Sequence, residues 1–173
     1  FEEFAEPSVR QSVISSLEAR VLYKGAAELQ EAVAAGALSY EDITRFYIAR
    51  TIQIESSDSG FLNAVIALNP EALNAAKAAD SQLARQRAGG VVIPANPLFG
   101  LPILLKDNIG FSGLPTTAGA AALANNVTED AFVTARLKAN GVVILGKANL
   151  SEWAYFFCRG CPSGYSALGG QTL

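Results

Sequence analysis

Gly-Leu-Pro-Ile-Leu-Leu-Lys, residues 100–106, is a short, nearly continuous apolar run that ends on a charge. Its length and composition fit a buried strand. Val142 to Leu145 is a second run of the same kind. Between them, Thr128 with Glu129 and Asp130 reads as the start of a helix whose apolar positions are Phe132, Val133 and Leu137 and which ends near Gly141. Ile109 to Ala124, rich in Gly, Ala and Thr, reads as a loop followed by a short helix. After the second run, Asn149-Leu150-Ser151-Glu152 has the pattern of a capping box and predicts a further helix. Strand, helix, strand, helix is the order of an α/β unit with parallel strands.

Upstream the texture is helical. Ala26 to Ala35 carries Ala and apolar residues at helical spacing and stops at Gly36. Ser39 starts a second helix running to about Glu55, with Glu41 and Asp42 favourably placed in its first turn and Ile43, Phe46, Tyr47 and Ile54 as its stripe. The tract 55–60 is a polar loop, and Phe61 to Leu68 is a short apolar run with strand character. Asn69-Pro70 reads as an N-cap followed by proline, opening a helix to about Arg87. Gly89-Gly90 and then Pro94, Pro97 and Pro102 break the helical texture. They divide the chain into a helical portion, 1–90, and an α/β core portion, 91–173.

Composition excludes several chemistries. The 173 residues contain no His, which removes a Ser-His-Asp triad, a Cys-His dyad and any His-ligated zinc from this polypeptide alone. Thirteen basic against 16 acidic residues give a net charge of −3 with no basic run, which argues against nucleic acid as a partner. No apolar stretch approaches the ~20 residues of a membrane-spanning helix, and the acidic start Phe1-Glu2-Glu3-Phe4 is no signal peptide. With no Met in the chain, Phe1 is read as a processed N-terminus or the start of a fragment. A cytoplasmic protein and one exported after signal removal both remain open.

Lys106 is the first candidate for chemistry. The C-terminal ends of strands line the ligand crevice of α/β sheets, and a buried lysine, with its pKa lowered, serves as a base near neutral pH. From position alone, a surface lysine paired with a carboxylate is the better account.

Four segments alter that balance: Pro97–Asn108 (PLFGLPILLKDN), Pro115–Gly119 (PTTAG), Gly146–Ala154 (GKANLSEWA) and Ser163–Thr172 (SGYSALGGQT). Each resembles the amidase signature family, and together they follow that family's order and spacing. One such segment would be weak evidence; four in register are specific. The resemblance implies the amidase signature fold, an α/β fold with a mixed, largely parallel central sheet covered by helices. This chain would hold only part of it, with a helical N-terminal region.

It also implies an amidohydrolase that cleaves a carboxylic amide C–N bond through a Ser–cis-Ser–Lys triad and an acyl-enzyme. Lys106 matches the family's lysine. In such enzymes the neutral lysine takes a proton from a bridging serine, which in turn deprotonates the nucleophilic serine. Backbone N–H groups of a Gly/Ser-rich loop hold the oxyanion. Both serines and that loop are expected beyond Leu173. Activity is therefore expected only when the remaining C-terminal portion, in the same or a separate chain, completes the site. Ser163 and Ser166 lie in the preceding segment and are not assigned as nucleophile. Ala154 falls in the family's substrate-contacting stretch.

No cofactor and no metal are implied. The implied partner is a small-molecule or peptide amide, and there is room for a homodimer. Among substrates of the family (free amides, peptide C-terminal amides, fatty amides, glutamine), the wording Asn149-Leu-Ser-Glu-Trp-Ala154 is more similar to the peptide-amide and general amidase branch than to transamidosome subunits.

Two departures are visible: Phe99 stands where the family often has His, and Ala120 where Ser is usual. Other motifs carry less. Cys158-x-x-Cys161 has no second pair to complete a metal site and reads as two unconnected thiols or a local disulfide. Gly146-Lys147-Ala148 lacks the upstream glycine of a phosphate-binding loop, which leaves Lys147 a structural part. Trp153, Tyr155, Phe156 and Phe157 read as core packing, with an acyl pocket as the alternative. A reading of a different class stands beside the enzyme: a non-catalytic fragment or pseudoenzyme of the same fold, acting as a binding module.

Overall fold

The computed structural model describes residues 1–56, 61–90, 96–156 and 160–173. In chain order the elements are α1 (Pro7–Val21), α2 (Ala26–Ala34), α3 (Tyr40–Glu55), β1 (Val65–Leu68), α4 (Ala72–Ala88), β2 (Pro102–Lys106), α5 (Phe132–Ala139), β3 (Val143–Ala148), β4 (Tyr165–Ser166) and β5 (Gly170–Gln171), with short 3₁₀ turns at Glu2–Phe4, Ala121–Leu123 and Glu152–Tyr155.

Helix starts follow local chemistry. Ser39 and Asp42 form a reciprocal cap: Asp42 N–H donates to the Ser39 hydroxyl and Ser39 N–H to the Asp42 carboxylate, both at 2.9 Å. Asp80 of α4 accepts from the N–H groups of Tyr40 and Glu41 at 2.9 and 3.0 Å, so one helix caps the next. At α4 the expected opening on Asn69-Pro70 moves to Ala72. Asn69 faces both ways: its backbone N–H and its side-chain amide donate to the β3 carbonyls of Leu145 and Ile144, both at 2.8 Å, while its side-chain oxygen and carbonyl accept from Glu71 N–H and Ala72 N–H, both at 3.0 Å.

The three-stranded sheet has the order β1-β3-β2, with β2 parallel and β1 antiparallel to β3. The step from Ile103 to Leu104 faces the step from Ile144 to Gly146, so β3 carries an extra residue, Leu145. This bulge reverses the phase of the strand. Val143 and Leu145 join the main core with α1, α3 and α4, while Ile144 joins a second cluster with Leu105 and Phe111 on the opposite face. Beyond the bulge, Lys147 pairs with Leu105 and turns to that second face. Gly146 is required where the strands close up, since a Cβ there would lie 2.3 Å from the Ala67 carbonyl oxygen.

Helix α5 departs from expectation. It starts at Phe132 with Ala131 as its cap, not at Thr128. The Thr128 and Asp130 side chains instead fasten the loop after β2, bonding the Thr116 hydroxyl and the Ser112 N–H. Phe132 and Val133 face outward, Phe132 82 % exposed. The buried residue is Thr134, whose hydroxyl donates to the Gly110 carbonyl at 2.7 Å. Periodicity missed this because a polar residue with a backbone partner took the inward position.

The entry to β2 rests on an aromatic platform. Phe99 packs edge-on against Tyr40 at 5.6 Å, and the Tyr40 hydroxyl donates to Gln30, whose amide donates to the Phe99 carbonyl at 2.8 Å. Gly100 has φ +72°, and a Cβ there would lie 2.4 Å from the Tyr40 ring. Gly100→Ala is expected to lose about 2–3 kcal/mol in urea unfolding, the left-handed penalty plus overpacking. Gly36→Ala, at the same φ of +72° with open space around it, is expected to lose only the backbone part. Equal losses at the two sites would refute the packing argument.

No helix among the described residues is long and apolar enough to cross a membrane.

Candidate functional site

Lys106 is the last residue of β2, and its side chain is exposed. It lines a cavity of about 570 Å³ with Asn149, Leu150, Ser151, Ala154, Tyr155 and Ser163. Lys106 and Ala154 come from separate sequence segments; in the fold they border the same space.

The wall opposite Lys106 is not the helix that the sequence predicts. Glu152–Tyr155 is a 3₁₀ turn in which Trp153, Ala154 and Tyr155 have φ of +51°, +53° and +72°. Left-handed non-glycine residues cost of order 1–3 kcal/mol each and persist where surrounding contacts hold them. Here Trp153 N–H donates to the Ala118 carbonyl at 2.9 Å, the Glu152 carboxylate accepts from Ala167 N–H at 2.8 Å, and the Tyr155 hydroxyl donates to the Cys161 carbonyl at 2.6 Å. Core packing does not describe the aromatics: Trp153, Tyr155 and Phe156 are exposed. Phe157 and Cys158, and with Cys158 the Cys-x-x-Cys reading, fall outside the described residues.

Asn149, which the sequence marks only as a cap, is the hub of this wall. Its amide nitrogen lies 2.8 Å from the Asn63 carbonyl and 3.2 Å from the Gly169 and Gly170 carbonyls and the Thr172 hydroxyl. Its oxygen accepts from Leu150 N–H and the Ser166 hydroxyl. Ser166 is fully buried in this network and also accepts from Gly169 N–H. It is a structural group facing away from solvent.

Behind Lys106 lies a buried ion pair, Asp107 with Lys147, at 3.5 Å. The Lys147 ammonium donates to the Ile109 carbonyl at 2.8 Å and the Thr116 hydroxyl at 3.2 Å. Burial pushes the Lys147 pKa below its ordinary value, against the opposing pull of the Asp107 charge. Asp107 Oδ2 accepts from the N–H groups of Thr117 and Gly119, at 3.3 and 3.2 Å, and from the Thr117 hydroxyl. Its Oδ1 has no hydrogen bond, only the ion-pair contact. The sequence signal for Asp107 is slight, a carboxylate next to a strand-end lysine. Among the described residues no cluster of His, Cys, Asp and Glu could hold a metal.

Both departures from the family pattern are buried: Phe99 in the main core, Ala120 beneath the turn that follows β2.

Thus the described residues place an exposed amine at a strand end, facing a cavity with one polar and one aromatic flank. A model of the Amidase family matches residues 42–168. Peptide amidase from Stenotrophomonas maltophilia superposes with a TM-score of 0.79 at 40 % identity, over 87 % of this chain and 30 % of that one. An amidase family protein from Bacillus anthracis gives 0.85 at 32 % identity, over 99 % and 34 %. A glutamyl-tRNA(Gln) amidotransferase polypeptide of Salinispora arenicola is 38 % identical over 83 % of this chain and 27 % of its own length. The chain belongs to the amidase family. It spans about a quarter of the length of the curated relatives it matches.

Proposed function

We propose that this chain supplies the lysine of a Ser–cis-Ser–Lys triad that hydrolyses a carboxylic amide through an acyl-enzyme. The observation that carries this reading is Lys106 at the open end of β2, bordering the same cavity as Ala154. Lys106 is the base and Ala154 a substrate contact. Residues 1–90 and 91–173 are two portions of one amidase domain. Both serines lie in a segment downstream, in the same or a separate polypeptide. General-base catalysis supplies about 10²–10⁴ in rate and each oxyanion donor about 10²–10³. The substrate class is a peptide or small-molecule amide, a choice supported by the match to peptide amidase.

A fluorophosphonate, which reacts with activated serines, tests this reading on the full-length protein. The expected result is one label per molecule on a serine beyond Leu173, with amide turnover lost on labelling. No label, together with no Gly/Ser-rich run after Leu173, would leave the binding-module reading.

A further inference from the structure

We infer that Asp107 is a positioning residue: it ties the strand end that carries Lys106 to the turn from which the opposite wall of the cavity hangs. The inference rests on the proposed amidase reading and adds to it a role for the residue beside the base.

The geometry is a two-sided connector. On its inner side, three successive N–H groups reach one residue: Thr117 and Gly119 donate to the Asp107 carboxylate and Ala118 to the Asp107 carbonyl, with Gly119 N–H shared with the Thr117 hydroxyl oxygen at 3.0 Å. The turn needs this, since Ala118 and Gly119 are both left-handed, at φ +51° and +77°. A Cβ on Gly119 would lie 2.5 Å from the Ser166 side chain, so the turn is also closely packed. On its outer side, the carbonyls of Ala118 and Gly119 accept from Trp153 N–H and Leu168 N–H, both at 2.9 Å. Trp153 begins the left-handed run through Ala154 and Tyr155, and Leu168 follows β4. Asp107 N–H in turn donates to the Ala148 carbonyl at 3.0 Å, continuing the ladder by which Lys106 pairs with β3.

One residue thus sets both sides of the cavity, and Lys147 neutralises it from behind at 3.5 Å. Catalytic rates are steep in such distances. A misplacement of about 1 Å costs roughly 10²-fold.

The test is made in the full-length protein, with active sites counted by end-point fluorophosphonate labelling. For Asp107→Asn, amide turnover per labelled site is expected to fall about 10²-fold, mostly in kcat. Asp107→Glu, which keeps the charge but not the reach, is expected not to restore it. Thr117→Val removes, at nearly constant volume, the hydroxyl that donates to the carboxylate and accepts from Gly119 N–H. It is expected to lower turnover per labelled site about 10-fold, a part of the same effect, and decides the matter if Asp107→Asn does not fold. A merely structural role would reduce the number of labelled sites and leave turnover per site at the wild-type value; that result in either folded variant overturns the inference. Failure of the wild-type protein to label would count instead against the amidase reading.

Discussion

Lys106→Ala in the full-length protein is expected to lose acylation by amide substrates, with turnover down by about 10²–10⁴, the usual worth of a general base. The protein should remain folded. The Lys106 side chain is exposed, and among the described residues its ammonium forms no ion pair. Its removal should therefore change stability by no more than about 0.5 kcal/mol. Lys106→Arg separates a base from a mere positive charge. A guanidinium keeps its proton throughout the working range, so the arginine variant should be as inactive as the alanine one. The measurement is the rate of acyl-enzyme formation, with unfolding midpoints as the control. Near-normal turnover in either variant would remove Lys106 from the role of base.

Lys147→Met is expected to be the most destabilising of the substitutions considered, by about 3–5 kcal/mol in urea unfolding, because it leaves the Asp107 carboxylate buried without its counter-charge. The double variant Asp107→Asn/Lys147→Met removes both charges and should recover most of that loss. If the double variant is as unstable as the two single losses added together, the pair contributes nothing as a pair. The pH dependence has a definite sign. Burial lowers the Lys147 pKa in the fold, while the unfolded chain titrates near 10.5. Between those values the unfolded state holds more protons, so stability contributed by this group rises with pH through that window. Lys147→Met should lack the rise. The buried Tyr40 phenol, pushed up to about 12, acts in the opposite direction above 10 but equally in both proteins, so the difference isolates Lys147.

How much of this was legible in the sequence depended on how local each cause was. The helix start at Ser39 and the apolar runs Gly100–Lys106 and Val142–Leu145 follow from neighbouring residues, and the structure has a helix capped by Ser39 and strands at Pro102–Lys106 and Val143–Ala148. Lys106 and Ala154 were singled out through a family pattern, not through periodicity, and the structure sets both on the same cavity. What escaped has long-range causes. Asn69 gives its donors to β3 and only its acceptors to the turn before α4, so the helix begins later than the Asn-Pro pattern predicts. Lys147 is inward because Leu145 is a bulge, which a pattern of period two cannot reveal. Glu152–Tyr155 is wound left-handed because Ala118, Ala167 and Cys161 hold it from three separate loops. Asp107 and Asn149 gather partners from distant parts of the chain, and no spacing rule encodes that.

The order of the strands also dictates an order in time. β1 is made early, but its partner β3 is the last strand of its sheet to leave the ribosome, after β2. Closing so long a loop is slow compared with forming local helices. During synthesis α1, α2 and α3 can gather while β1 still waits unpaired. The lysine strand and β3 then align across the shorter interval spanned by α5. Lys106, the proposed base, is thus seated in its sheet only once β3 has been made.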